Sequence, residues 1–245
     1  MLTAGVDLAA EPKGTALALT EWSAGSAVVR ELHLGLSDDP IVDAAGRVDK
    51  LGIDCALGWP DNFIHFVTEQ VNIDAASDFD GGMEWRRSLA YRETDRHVRE
   101  ITGRWPLSVS TDRLGLTAMR AMGLLSKIAQ SGKAIDRTGE GLIVEVYPGA
   151  SLRLWGFDTT GYRHSVESRA ALLDALCSSA TWFDPGECAQ KMIDSCDAFD
   201  AVVASLATRA VAIGRSYRPD EQQRKLARVE GWIHLPQGSM HSLID

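Results

Sequence analysis

Four short apolar runs fall within the first sixty residues, and two of the three connections between them are too short for anything but a turn. The runs are residues 3–9 (TAGVDLA), 15–21 (TALALTE), 27–34 (AVVRELHL) and 50–56 (KLGIDCA). Each has the length and bounding turn residues of a β-strand. Pro12-Lys13-Gly14 and Ala24-Gly25-Ser26 join the first three. A parallel crossover needs a dozen or more residues, so these three strands must form an antiparallel meander. A polar turn at Asp38-Asp39-Pro40 and a short helical stretch over residues 41–45 lead to the fourth strand, which Gly58, Trp59 and Pro60 stop.

Residues 61–135 then read as a mostly helical insertion. Trp85, Leu89, Val98 and Ile101 lie near helical spacing over residues 85–101, and Leu114, Ala118, Met122, Leu125 and Ile128 over residues 111–129. Residues 77–82 between them read as a loop. Residues 141–147 (GLIVEVY) form a fifth strand closed by Pro148-Gly149, and a helix follows over about 165–177. Asp184 as N-cap, Pro185 at the first helical position and Glu187 three after the cap open a last helical region. It runs to Gly214 as C-cap, with a break near Ser195 that starts a helix of its own. The tail through Glu230-Gly231-Trp232-Ile233 reads as an ordered return. No repeat or low-complexity linker divides the chain, so residues 1–245 are expected to form one domain. The order β-β-β-α-β resembles the opening of the ribonuclease H fold. The expected class is therefore α/β, a mixed sheet of antiparallel meander plus parallel strands flanked by helices.

Composition narrows the function classes. A net charge of −9 argues against a general nucleic-acid coat. Residues 83–120, however, hold eight arginines against five acids, a local +3 that leaves −12 for the rest. That segment reads equally as a basic face or as a solvated helix with salt bridges. No run of eighteen apolar residues exists, and the first ten residues lack a basic leader, so neither a membrane span nor a signal peptide is expected. Cys55, Cys177, Cys188 and Cys196 show no CxxC spacing and are read as free thiols, which suits the cytoplasm.

The chemistry-bearing residues are acids at element ends. Asp7 closes the first strand and Asp54 the fourth. Asp197 and Asp200, at i and i+3, share one face of a helix that the apolar run 201–204 would press onto the sheet. Carboxylates gathered at one point repel unless a cation neutralises them, and Mg²⁺ or Mn²⁺ is the hard, oxygen-seeking choice. Each acid has a plainer reading: a strand-end Asp as a turn residue, and the helical pair, extended by Asp194, as a wet face. Glu145 inside IVEVY is either a further metal ligand or the partner of Arg92 or Arg96. Arg92, Arg96 and Arg99 at helical spacing read either as a phosphate clamp or as internal ion pairs. His97 is a candidate base or an exposed histidine. Trp59 and Trp232 would stack bases or, more simply, fill the core.

Six pieces, in order along the chain, resemble a known family: Gly5-Val6-Asp7-Leu8-Ala9, Ile53-Asp54-Cys55-Ala56-Leu57-Gly58-Trp59-Pro60, Arg92-Glu93-Thr94-Asp95-Arg96, Glu145-Val146-Tyr147-Pro148-Gly149, Asp197-Ala198-Phe199-Asp200-Ala201 and Glu230-Gly231-Trp232-Ile233. The family is domain of unknown function 429, a set of predicted ribonuclease-H-like nucleases. The resemblance implies that fold and a metal-dependent site hydrolysing nucleic-acid phosphodiesters. The helical Asp-x-x-Asp is similar to that of Holliday-junction resolvases, which implies Asp200 as a ligand with Asp197 beside it. The leading expectation is thus a Mg²⁺- or Mn²⁺-dependent nuclease. Asp7, Asp54, Asp200 and Asp197 would be catalytic, Glu145 an added metal ligand, and Arg96 and Arg92 phosphate contacts. Two other readings stand beside it: an actin-like nucleotide phosphotransferase or ATPase, and a non-catalytic interaction module retaining the fold. The expected partner is DNA or RNA, with no membrane; a homo-oligomer is left open.

Overall fold

A computed structural model describes residues 1–73 and 81–244. The meander is β1 (Leu2–Asp7), β2 (Ala16–Ser23) and β3 (Ser26–Leu34), followed by α1 (Asp38–Arg47) and β4 (Lys50–Asp54). The insertion holds α2 (Asp61–Glu69), α3 (Gly82–Ala90), α4 (Glu93–Thr102) and α5 (Gly115–Gln130). Then come β5 (Ile143–Val146), α6 (Pro148–Leu154), α7 (Val166–Ser179), the two-residue β6 (Phe183–Asp184), α8 (Ala189–Asp194), α9 (Cys196–Ala212), α10 (Glu221–Glu230) and β7 (Ile233–His234).

The strands form one sheet in the order β6-β3-β2-β1-β4-β5-β7. The first three pair antiparallel, whereas β1–β4, β4–β5, β5–β7 and β3–β6 are parallel. Strand alternation sends successive residues to opposite faces. Ala16, Ala18 and Trp22 of β2 pack into one core with α9 and α7, while Leu17 and Leu19 pack into the other with α1 and α5. Helices thus cover both faces of an α/β mixed sheet.

α9 runs through the interior. Thirteen of its seventeen residues are buried, as expected for a helix enclosed on all sides. Its approach to the sheet depends on two facing glycines, Gly5 of β1 and Gly52 of β4, which are register partners. A Cβ on Gly5 would collide with the backbone at Ala201 and Ser205, and one on Gly52 with the Thr208 hydroxyl. Polar clips fix the helix along its length. The Thr3 hydroxyl donates to the Ser205 carbonyl at 3.0 Å, and the Thr20 and Ser205 hydroxyls share a 2.6 Å bond.

Several element expectations are corrected. The single helix expected over residues 85–101 is two, because Arg92 is extended (φ −69°, ψ 164°) and starts α4. The next helix begins at Gly115 rather than Thr111. Residues before it form a turn in which Ser108 N donates to Asp112 Oδ2 at 2.8 Å. Asp184 does not cap a long helix. It pairs with β3 and accepts from Gly186 N at 2.8 Å, and the helix proper resumes as α8. The expected break at Ser195 is present: its hydroxyl accepts from Ala198 N at 3.2 Å and starts α9. Of the expected loop 77–82, positions 77–80 lie outside the described residues. α10 is not among the expected elements, although Asp220 and Gln223 form a reciprocal cap there. Among the described residues no helix is long and apolar enough to cross a membrane, and all four cysteines are free.

Candidate functional site

Asp7 and Asp54 are Cα partners across the parallel pair β1–β4, strands about 4.8 Å apart by ordinary sheet geometry. They lie two residues beyond Gly5 and Gly52 and therefore on the same sheet face, the one α9 covers. Running back along α9 from Ser205 leads to Asp200, only 3% exposed. The charges of Asp54 and Asp200 act on Asp7, so the fold brings these three acids near one another. Among the described residues neither Asp7 nor Asp54 accepts a protein hydrogen bond or makes an ion pair. Asp200 is held more firmly. The Tyr162 hydroxyl donates to its Oδ1 at 3.0 Å, and Arg163 Nη2 lies 3.8 Å from Oδ2.

Crowded, half-desolvated acids resist ionisation. Burial raises the Asp7 carboxyl well above its usual range, and the charges of Asp54, Asp200 and Asp197 add to it. Asp54 is raised likewise, by burial and then by Asp200. Burial pushes Asp200 up to about 6 against the pull of Arg163 and the Tyr162 bond. Asp197 is half-buried, raised by burial, and close enough for its charge to act on Asp7. Cys196 Sγ lies 3.7 Å from Asp200 Oδ2, and burial with that charge pushes the thiol up to about 12, so it is no nucleophile at neutral pH.

Asp7 and Asp54 open onto a cleft of about 400 Å³, which Glu145 also lines. Arg113, Leu107, Tyr147 and Arg163 line its other walls. Arg163 and Tyr162 come from the loop between α6 and α7, where no periodicity or local motif singles them out. Their only sequence signal is the turn around Gly161, which has φ +75°.

Two expected site residues, Arg92 and Glu145, line the same cleft but are bonded to each other. Arg92 is 2% exposed, and its guanidinium is fully bonded. Nη2 donates to Glu145 Oε1 at 2.7 Å and Asp95 Oδ1 at 3.0 Å, and Nη1 donates to Glu145 Oε2 and the Glu230 carbonyl, both at 2.9 Å. It has no free edge for phosphate. Glu145 accepts the two Arg92 bonds and a further one from Leu57 N at 3.0 Å, so the pairing with Arg92 is present, and its charge also acts on Asp54. Glu230 extends the cluster by accepting from Asp61 N at 2.9 Å and Glu93 N at 2.7 Å. The motif residues Arg92, Asp95, Glu145 and Glu230 therefore tie α2, α4 and α10 to the sheet.

Arg96 donates to the Tyr91 carbonyl at 3.2 Å and does not line the cleft. His97 lies against Trp232, with ring centroids 5.0 Å apart and its Nε2 buried without a partner among the described residues. Burial lowers its pKa, and it does not line the cleft. Trp232 is fully buried and donates to the Tyr217 carbonyl at 3.1 Å, so it fills the core rather than stacking bases; Trp59 packs at the edge of the other core.

The donor chemistry of the acids, hard carboxylate oxygens with no protein partner on Asp7 and Asp54 among the described residues, suits a hard divalent cation. The arrangement is not closed around one: among the described residues no group of three His, Cys, Asp or Glu side chains is already set to hold a metal ion.

No curated protein and no solved structure matches the chain. A family described as protein of unknown function (DUF429) matches residues 5–224. The match begins at the glycine that admits α9 and takes in every acid of the cleft, leaving only the Glu230–Ile233 piece beyond it. With that span covered, the chain belongs to the DUF429 family.

Proposed function

We propose that the chain is a metal-dependent hydrolase of nucleic-acid phosphodiesters with a ribonuclease-H-like fold. The fold reading is supported by the central strand order 3-2-1-4-5, with an antiparallel meander followed by parallel β4 and β5. The function reading is carried by one observation: two in-register aspartates without protein partners among the described residues, with a third carboxylate delivered by the central helix.

Asp7, Asp54 and Asp200 would hold Mg²⁺ or Mn²⁺, with Asp197 as an auxiliary; Glu145 is committed to Arg92. Such an ion supplies an activated water and neutralises charge on the phosphate and leaving oxygens. The chain's own groups do the rest. Asp7 and Asp54 are fixed by the β1–β4 register, so their separation does not depend on a loop. Tyr162 fixes the Asp200 carboxyl through its hydroxyl. Arg113 on the cleft wall, without an ion pair among the described residues, is placed to meet phosphate oxygens. Leu107 and Tyr147 supply apolar wall against which a sugar or base can rest.

The test is cleavage of a panel of structured DNA and RNA substrates with Mg²⁺ and with Mn²⁺. Activity abolished by Asp7→Asn and by Asp200→Asn is the expected outcome. A folded protein inert on the whole panel with both metals counts against the reading.

A further inference from the structure

Two arginines contact buried carboxylates near the sheet's centre, and they differ in a way that suggests different roles. Arg92 is locked: fully buried, bidentate, every donor occupied. Arg163 is restrained loosely. Its side chain is 53% exposed, its Nη2 stands 3.8 Å from Asp200 Oδ2, and its Nε donates to the Tyr162 hydroxyl over a long 3.4 Å. It rides on a turn shaped by Gly161, and Gly149 gives room to the neighbouring Tyr162 hydroxyl, which a Cβ there would approach to 3.3 Å.

Yet Arg163 is the cation whose field reaches Asp7, Asp54 and Asp200 alike. Burial works against its own charge, but Tyr162 and the carboxylates outweigh that. Arginine is suited to such a post because it stays charged wherever it is placed. A locked counter-ion would close the acids off permanently; Arg163 is half-exposed and meets the buried Asp200 only at 3.8 Å, so another cation can take its place there.

We infer that Arg163 is the built-in counter-ion of the carboxylate cluster and competes with a divalent cation for Asp200. The inference rests on the reading of Asp7, Asp54 and Asp200 as a cation site and adds how that site is guarded. Arg163 keeps the acids assembled by offsetting their repulsion, and yields Asp200 when a stronger cation arrives. Arg163 lines the cleft, so the released guanidinium stays at the cleft wall.

Two measurements on the full chain test this. In calorimetric titration with Mn²⁺, Arg163→Ala should bind roughly three- to tenfold tighter than the wild type, because the competing cation is gone. Arg163→Lys, which keeps the charge, should stay near the wild type. Equal or weaker Mn²⁺ binding by Arg163→Ala overturns the competition while leaving the cation site standing. The absence of Mn²⁺ binding in all three proteins instead sinks the cation site and the competition with it. The second measurement needs no metal. In EDTA, Arg163→Ala should melt lower than the wild type, and the loss should vanish when Asp200→Asn is the background. If the two substitutions add without coupling, Arg163 is not the counter-ion, whatever the metal titration gives.

Discussion

Asp7 and Asp54 are carboxylates that the fold half-buries beside other acids, and among the described residues neither has a protein partner. Such groups cost stability, so removing one charge should help the fold while destroying the proposed chemistry. Asp7→Asn is expected to raise the urea midpoint in EDTA, because burial and the charges of Asp54 and Asp200 resist ionisation of Asp7. A lowered midpoint would mean that Asp7 is a structural ligand of the fold instead. Arg92 behaves oppositely. Removing it leaves Glu145 and Asp95 buried without a cation, and breaking a buried pair costs about 3–5 kcal/mol. Arg92→Ala should therefore unfold at much lower denaturant, and a near-wild-type midpoint would contradict the buried network. The acids at strand ends were legible in the sequence because strand ends are set by local turn residues. That Glu145 and Arg92 face each other was legible only as one of two alternatives. The partners lie 53 positions apart, and no local pattern brings them together.

At the scale of elements, the β1–α9 contact decides whether a site exists. Positions 3, 5 and 7 of β1 face α9 in turn: Thr3 bonds the Ser205 carbonyl, Gly5 admits the helix backbone, and Asp7 meets the charge of Asp200. Gly5→Ala must push the helix away, and overpacking of this kind costs about 1–3 kcal/mol or more. The same displacement would carry Asp200 off Asp7 and Asp54. Gly5→Ala should thus lose both stability and divalent-cation binding, whereas Gly25→Ala, in an open turn, should leave cation binding untouched. Equal cation affinity in Gly5→Ala and the wild type would break the link between the glycine and the site. The Ser195 start of α9 was readable from its capping residue, and the first four strands from their spacing. The split of residues 85–101 into α3 and α4 was not. The helical period continues through it in the sequence, and the interruption comes from Arg92 taking an extended backbone to reach β5.

Across the whole molecule the titrating groups act on stability with opposite signs. His234 on β7 is buried, with Nε2 2.9 Å from the Thr138 carbonyl and Nδ1 3.1 Å from the Ser216 hydroxyl. Burial, with Lys50 and Arg218 nearby, lowers its pKa from 6.5 to about 4. Because the unfolded chain takes the proton first, His234 costs stability as pH falls from about 6.5 to about 4, on the order of 3 kcal/mol in all. Asp200, raised to about 6, works the other way, its folded form binding a proton earlier than the unfolded one as pH falls below 6. The advantage of the wild type over His234→Gln in urea should therefore shrink steadily between pH 7 and pH 4. An advantage that stays constant over that range would exclude the buried neutral histidine. The meander, the Ser195 cap and the acids at strand ends follow from the sequence alone, since they rest on turn sterics, side-chain alternation and backbone hydrogen bonds between near neighbours. Only the tertiary structure decided which charges meet. It withdrew Arg92 and Glu145 into the frame and brought Tyr162 and Arg163 to Asp200, because electrostatic pairing acts through space and is indifferent to distance along the chain.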